Sequence, residues 1–188
     1  MPVLQHLRAR EDQRSSNVAF DVAPSRASHA PSVKSVGITG QIVGSRAHFI
    51  IADDVEVLSN ALTQVMRDKL GEVVKEFDAV VMPTVGRIIY LGTPQVEESL
   101  YTSLQSRGYE CRIWPARMPD NRLRIFYGKK LSPFIPELEL PVGQPVDPLR
   151  FDDLDLTERE ASYGKSGFSL QFMLDTSGED DQRYPLKL

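Results

Sequence analysis

An α/β fold, with a parallel sheet flanked by helices, is what this 188-residue chain predicts, and three observations carry the prediction. Short runs of β-branched and aromatic residues are bounded by Pro, Ser and Gly. Segments with apolar residues every three or four positions lie between them. The two kinds of segment alternate from residue 47 to residue 114.

In chain order, "NVAFDV" (17–22), "SVKSVGI" (32–38) and "AHFIIAD" (47–53) each read as a strand. From Ser59, a candidate N-cap, the residues Leu62, Met66, Leu70, Val73, Val74 and Phe77 recur at helical spacing. "GRIIYLG" (86–92) then reads as a buried strand, "QVEESLYTSLQSR" (95–107) as a second helix and "YECRIW" (109–114) as another strand, linked by right-handed crossovers. Seven of the 13 prolines fall between Pro115 and Pro148. They argue against regular elements and for an irregular connection over 115–150. Beyond it, the Thr-x-x-Glu spacing of "TERE" (157–160) signals a helix start. A helical segment over 151–188 is expected, broken near Gly164 and Gly167, with "DTSGEDDQRYPLKL" as a surface loop leading out. The expected organisation is therefore a core over 1–114, a connection over 115–150 and a helical part over 151–188.

Composition bounds the possibilities. With 41% hydrophobic and 26% charged residues, one substantial core is affordable and two are marginal. The one cysteine, Cys111, cannot form an internal disulfide, and no signal-peptide pattern is present, so the chain reads as cytosolic and reduced. No apolar run approaches the roughly 20 residues needed to cross a bilayer. His6, His29 and His48 lack metal-ligand spacing, and one cysteine makes no zinc site. The formal net charge of −4 hides basic blocks, with six basic against three acidic groups in residues 1–46 and seven against two in 107–130. Such blocks either meet a polyanion or form an unevenly charged solvated surface.

The chemistry concentrates in "FIIADDVEV" (49–57), where an apolar strand runs straight into Asp53, Asp54 and Glu56. In an open parallel sheet, ligands bind beyond the carboxyl ends of the strands. Asp53 and Asp54 point to opposite faces of an ideal strand, so they share a site only where the chain leaves the sheet. Four apolar residues followed by Asp and a second acid form the Walker B pattern. One carboxylate holds hydrated Mg²⁺ and another orients or deprotonates the attacking water. Acids past a buried strand also serve simply as caps or solvated loop residues. "IIYLGTPQ" (88–95) delivers Gly92, Thr93 and Pro94 to the same sheet edge. Gly92 permits close backbone approach, Thr93 offers a hydroxyl to a terminal phosphate, and Pro94 suits a first helical turn.

With these motifs in place, "APSVKSVGITGQIVGSRAHFIIADDVE", "IIYLGTPQVEESLY", "YGKSGFSLQFML" and the closing "YPLKL" resemble, in order, the large terminase subunit of short-tailed double-stranded DNA phages. That protein is the ATP-driven motor that packs the genome into a procapsid. The resemblance covers the chain from about Pro2 to Leu188 and points to the C-terminal half of the ATPase domain. It implies a P-loop NTPase fold of the RecA-like class, incomplete because the Walker A loop lies upstream and the nuclease acids downstream of this stretch. "YGKSG" (163–167) does not replace that loop, because Arg159 stands where its first glycine is required.

The resemblance further implies that Asp53 is the magnesium carboxylate and Asp54 the catalytic acid. Glu56 either supports them from behind or exchanges roles with Asp54. Gly92, Thr93 and Pro94 match the motif that couples nucleotide state to DNA movement. Arg46 reaches phosphate or a neighbouring subunit, or makes a surface salt bridge. Mg²⁺ and ATP are the implied cofactor and substrate. Double-stranded DNA, the portal protein, the small terminase subunit and other copies in a ring are the implied partners, in the host cytoplasm at the procapsid. For DNA contact, Arg107, Arg112, Arg117, Arg122, Arg124, Lys129 and Lys130 stand among Trp114, Phe126 and Tyr127; they hold phosphates or cover the sheet with their stems. "FMLDTSGEDD" departs from the Leu-Asn-Pro usual after the Met in this family.

Three alternatives stay open: a metal-dependent nuclease using the three acids, a helicase-like motor fragment and a non-catalytic fragment. Without the phosphate loop, three acids repel an anion, so the chain by itself is expected to be nearly inert towards MgATP. A phosphate-release assay checks this. Turnover that Asp53→Ala abolishes is the opposite result.

Overall fold

The computed structural model describes residues 2–177 except 27, 41, 43 and 97; the closing "YPLKL" and most of the expected tail lie outside the described residues. The protein is mixed α/β and separates into two compact units: residues 1–52 with 71–89, and residues 53–70 with 90–188.

In the first unit, β1 (Ala19–Phe20) and β2 (Val33–Lys34) pair antiparallel, Ala19 opposite Lys34 and Phe20 opposite Val33. Both are shorter than the sequence runs suggested, because side chains take over the neighbouring backbone groups. Asp21 accepts from the N–H groups of Arg14 (3.2 Å) and Ser32 (3.0 Å), and the Ser16 hydroxyl accepts from Ala19 N–H at 3.0 Å. Such local capture competes with ladder hydrogen bonds.

β3 (Phe49–Asp53) and β4 (Arg87–Leu91) form a second two-stranded sheet. The Arg87 N–H donates to the His48 carbonyl at 2.9 Å and the Asp54 N–H to the Leu91 carbonyl at 3.0 Å. The register climbs in the same direction on both strands, so this small sheet is parallel. β4 is not the fully buried strand expected from "GRIIYLG": exposure alternates along it, leaving Ile89 and Leu91 exposed.

The helix expected from Ser59 is two helices, α1 (Leu58–Ala61) and α2 (Gln64–Val80). The Asn60 side chain accepts from Val57 N–H and donates to Val55 C=O, both at 2.9 Å, closing α1 on itself. Thr63 then restarts the chain, its hydroxyl accepting from Met66 N–H at 3.3 Å. Leu70, Val74, Phe77 and Val80 are buried on one stripe of α2, while Leu62 and Met66 stay exposed. Thr84, in the turn before β4, is a β-branched residue at φ 67°, a conformation glycine adopts without steric cost.

In the second unit, α3 (Leu100–Ser106) begins only after Ser99, whose hydroxyl accepts from Tyr101 N–H. "YECRIW" makes no strand. Ile113 forms one isolated parallel bridge to Leu131, and Pro115, which has no N–H, ends any ladder there. The stretch expected to be irregular holds α4 (Asn121–Tyr127) and α5 (Phe134–Glu137). α4 forms because Asp120 caps it, accepting from Leu123 N–H at 2.8 Å, and because no proline falls within it. α6 (Asp153–Gln171) starts four residues before "TERE", with Asp152 as N-cap accepting from Asp155 N–H at 2.8 Å. It kinks once, at Gly164 (φ 70°, ψ 167°), and runs on through Gly167. "YGKSG" therefore lies within α6, across its kink, and not in a loop between a strand and a helix.

The core of this unit joins Leu123, Tyr127, Leu156, Phe168 and Met173, flanked by Ile113, Ala116, Phe126, Leu131, Phe151 and Phe172. Leu156 is fully buried. Leu156→Ala is expected to destabilise the chain by about 3 kcal/mol, and Thr84→Gly to stabilise it by about 1 kcal/mol by relieving the left-handed strain, both read by equilibrium denaturation.

Candidate functional site

The acids lie where β3 ends. Asp53 is its last residue, on the exposed face it shares with Phe49 and Ile51. Asp54 follows at φ 45°. A non-glycine residue in this region costs of order 1–2 kcal/mol, and Asp tolerates it better than most. This single left-handed residue turns the chain out of the sheet, the step that two adjacent acids on one strand require. Asp53 and Asp54 are both exposed, and neither forms an ion pair among the described residues.

Asp54, Glu56, Val57, Leu58, Thr93, Gln95 and Gln171 line one surface cleft of about 260 Å³. The structure thus brings Asp54, Glu56 and Thr93 together. Asp53 borders this group without lining the cleft, and Gly92 and Pro94 flank Thr93. Gly92 is required for a packing reason: a Cβ there would overlap the Tyr101 hydroxyl, which donates to the Leu91 carbonyl at 3.3 Å. Burial is the main influence pushing the Tyr101 phenol up to about 12; a backbone hydrogen bond at Glu56 opposes it, and the charges of Glu56, Asp54 and Asp53 add to it. That phenol therefore stays protonated and able to donate.

Glu56 differs from the other two acids. It is 2% exposed, and its carboxylate accepts from Gln95 N–H (2.8 Å), the Ser99 hydroxyl (2.9 and 3.0 Å) and Leu100 N–H (2.5 Å). A buried carboxylate survives only when its lone pairs are met, and here backbone and hydroxyl donors meet them without a cation. Sequence reasoning missed Ser99, Gln95 and Gln171. Ser99 left a signal, an N-cap residue ahead of an apolar helix, whereas Gln171 at the end of α6 left none.

The predicted basic residues are placed elsewhere. Arg46 belongs to the first unit and is exposed, donating to the carbonyls of Ser45 (3.0 Å) and Ala79 (3.5 Å). Arg117 donates to Gly143 C=O (2.8 Å), to the Asp153 carboxylate and to the Thr157 hydroxyl (3.3 Å). Arg124 donates to Pro119 C=O at 3.0 Å. Arg122 pairs with Asp175 at 2.7 Å. The structure thus engages Arg117, Arg122 and Arg124 in internal contacts that hold α4 and α6 to their loops. Among the described residues, no group of three or more His, Cys, Asp or Glu side chains is placed to hold a metal ion, and no helix is long and apolar enough to cross a membrane.

Asp175 is the departure from Leu-Asn-Pro noted in the sequence. Burial raises its carboxyl, but hydrogen bonds from Ser177 and Arg122 outweigh that and hold it below the ordinary carboxylate range. A carboxylate lowered by folding stabilises the protein above its unfolded pKa, and that stabilisation disappears as pH falls through the folded value. Asp175→Asn is expected to cost about 1 kcal/mol near neutral pH, discounted because Arg122 is largely exposed. The gap from the unaltered chain should close on acidification, as read by denaturation across pH.

No family profile matches the chain. Over 196 aligned positions it is 51% identical to the terminase large subunit of Enterobacteria phage T3, with 100% of this chain and 33% of that protein covered. The chain spans about a third of the length of that relative. Identity at this level across the whole chain cannot come from a shared short motif, and the chain belongs to the terminase large subunit family.

Proposed function

We propose that the chain is part of the ATP-hydrolysing motor that moves double-stranded DNA into a procapsid, and that it supplies the Walker B and coupling motifs of a P-loop NTPase fold. The observation that carries this reading is the delivery of Asp54 and Thr93, from the ends of two neighbouring parallel strands, to one cleft. On this reading residues 1–114 carry the motif-bearing core, 115–150 the connection and 151–188 the helical close of the ATPase domain. DNA, the portal, the small subunit and neighbouring copies in a ring are the partners, in the host cytoplasm.

The residues present fit a hydrated magnesium ion. Asp53 and Asp54 are exposed hard-oxygen donors that form no ion pair among the described residues. Mg²⁺ keeps several waters and is commonly bound by one or two carboxylates with substrate phosphates, rather than by an all-protein cage. When bound, Mg²⁺ offsets charge on the phosphate oxygens. Asp53 holds it, directly or through water. Asp54 orients the attacking water and accepts its proton. Thr93 donates its hydroxyl to the terminal phosphate, and the fixed Gly92–Thr93–Pro94 backbone passes the loss of that contact on. The engagement of Glu56 argues against the nuclease alternative, which draws on all three acids as ligands. Arg46, exposed beside the C-terminal end of α2, remains available to phosphate. Contacts to DNA through Arg117, Arg122 or Arg124 would compete with the internal partners of these residues.

The test uses Mn²⁺ as a paramagnetic probe. In the amide spectrum of the chain, Mn²⁺ should broaden Asp54 and Thr93 first, and Asp53→Asn combined with Asp54→Asn should weaken that effect about tenfold or more. Selective broadening elsewhere, indifferent to the two substitutions, contradicts the assignment.

A further inference from the structure

Glu56 lies two residues beyond Asp54, on a turn pinned on both sides: Asn60 holds the Val55 carbonyl and the Val57 N–H, each at 2.9 Å. Every donor to its carboxylate comes from one short segment, Gln95, Ser99 and Leu100, immediately after Gly92, Thr93 and Pro94. Among the described residues, the Tyr101 phenol also meets the Glu56 backbone, and Arg67 pairs with Glu98 at 2.6 Å, where Glu98 is largely exposed, so that ion pair is a weak strap. The buried carboxylate is therefore the principal link between the turn that carries Asp54 and the segment that carries Thr93.

The chemistry of the link selects a carboxylate. Two backbone N–H groups and a hydroxyl converge on the two oxygens of Glu56. A glutamine would turn an NH₂ towards one set of these donors, leaving Leu100 N–H or Gln95 N–H facing another donor. Alanine would leave the buried Ser99 hydroxyl and Leu100 N–H without this acceptor. The same bonds place the first turn of α3, because Ser99, its N-cap, and Leu100, its first residue, are both held by Glu56.

We propose that Glu56 is a positioning residue: it locks the Gly92–Thr93–Pro94 segment and the start of α3 to the acid-bearing turn, so that Asp54 and Thr93 hold one geometry around the cleft and move as one body. This rests on the nucleotide reading above and adds to it a role distinct from that of the catalytic acid. The coupling motif then reaches the acids through the Glu56 side chain and not only through the hydrogen bond between Asp54 N–H and Leu91 C=O.

The experiment is amide exchange and Mn²⁺ broadening, followed by NMR on the whole 188-residue chain and its Glu56→Gln variant. The amides of Gln95 and Leu100 are expected to exchange about tenfold faster or more in the variant, while those of Leu123 and Tyr127 in the helical core keep their protection, which shows an intact fold. Mn²⁺ should still broaden Asp54 in the variant, with the broadening at Thr93 reduced severalfold, a spectroscopic change that a merely structural residue would not produce at one position alone. Unchanged exchange at Gln95 and Leu100, or full broadening at Thr93 in the variant, overturns the proposal. If Mn²⁺ fails to broaden Asp54 in the unaltered chain, the nucleotide reading itself fails and takes the positioning role with it, even where the exchange contrast registers the hydrogen bonds. Should Glu56→Gln not fold, Ser99→Ala replaces it: it removes one donor and is expected to speed exchange at Leu100 severalfold, and no change there overturns the proposal.

Discussion

The site depends on how a buried negative charge is satisfied without a positive one. Glu56 is buried, where a carboxylate without hydrogen-bond partners is costly. Its stability comes from neutral donors, two N–H groups and a hydroxyl, supplied by the segment after β4. Because those donors are backbone and cap groups, satisfying the charge also fixes where α3 starts and where Thr93 sits. One electrostatic requirement thereby sets the geometry of the cleft, while the two preceding acids, Asp53 and Asp54, stay exposed.

The second constraint is the turn at Asp54. A strand that ended in an extended Asp54 would send the two acids to opposite faces of the sheet. The positive φ at Asp54 spends conformational energy at the point where function is proposed, a common location for strain. The helical half of the second unit shows the opposite economy. There the arginines complete carbonyls and carboxylates left over from helix ends, and the aromatic residues Phe151, Phe168 and Phe172 stack and meet edge to face around the end of α6, with the Arg159 guanidinium 4.8 Å from the Phe151 ring centre.

The ends of β3 and β4, where the acids and the Gly92–Thr93–Pro94 run lie, were legible in the sequence because they rest on local pattern: an apolar run, then an acid, or then a small residue and a proline. β3 and β4 lie where alternation and β-branching placed them. Element starts were less legible, because side chains reassigned them. Asn60 and Thr63 split one amphipathic pattern into α1 and α2, Asp152 overrode the capping signal at Thr157, and Ser99 delayed α3. Asp120 opened a helix in a stretch whose proline count suggested none, since the prolines flank α4 and do not interrupt it. The partners of Glu56 were hidden for a different reason. A carboxylate in a motif looks the same whether it faces a cation or the backbone and hydroxyl donors of three residues, and only the fold brings residues 56 and 95–100 together.

An anomalous difference map from crystals of the chain grown with Mn²⁺ and a non-hydrolysable ATP analogue tests the central claim most directly. The account predicts a metal peak beside the Asp53 and Asp54 carboxylates, with Glu56 still held by Gln95, Ser99 and Leu100. A peak coordinated by Glu56 with those bonds broken, or no peak at the end of β3, would contradict it.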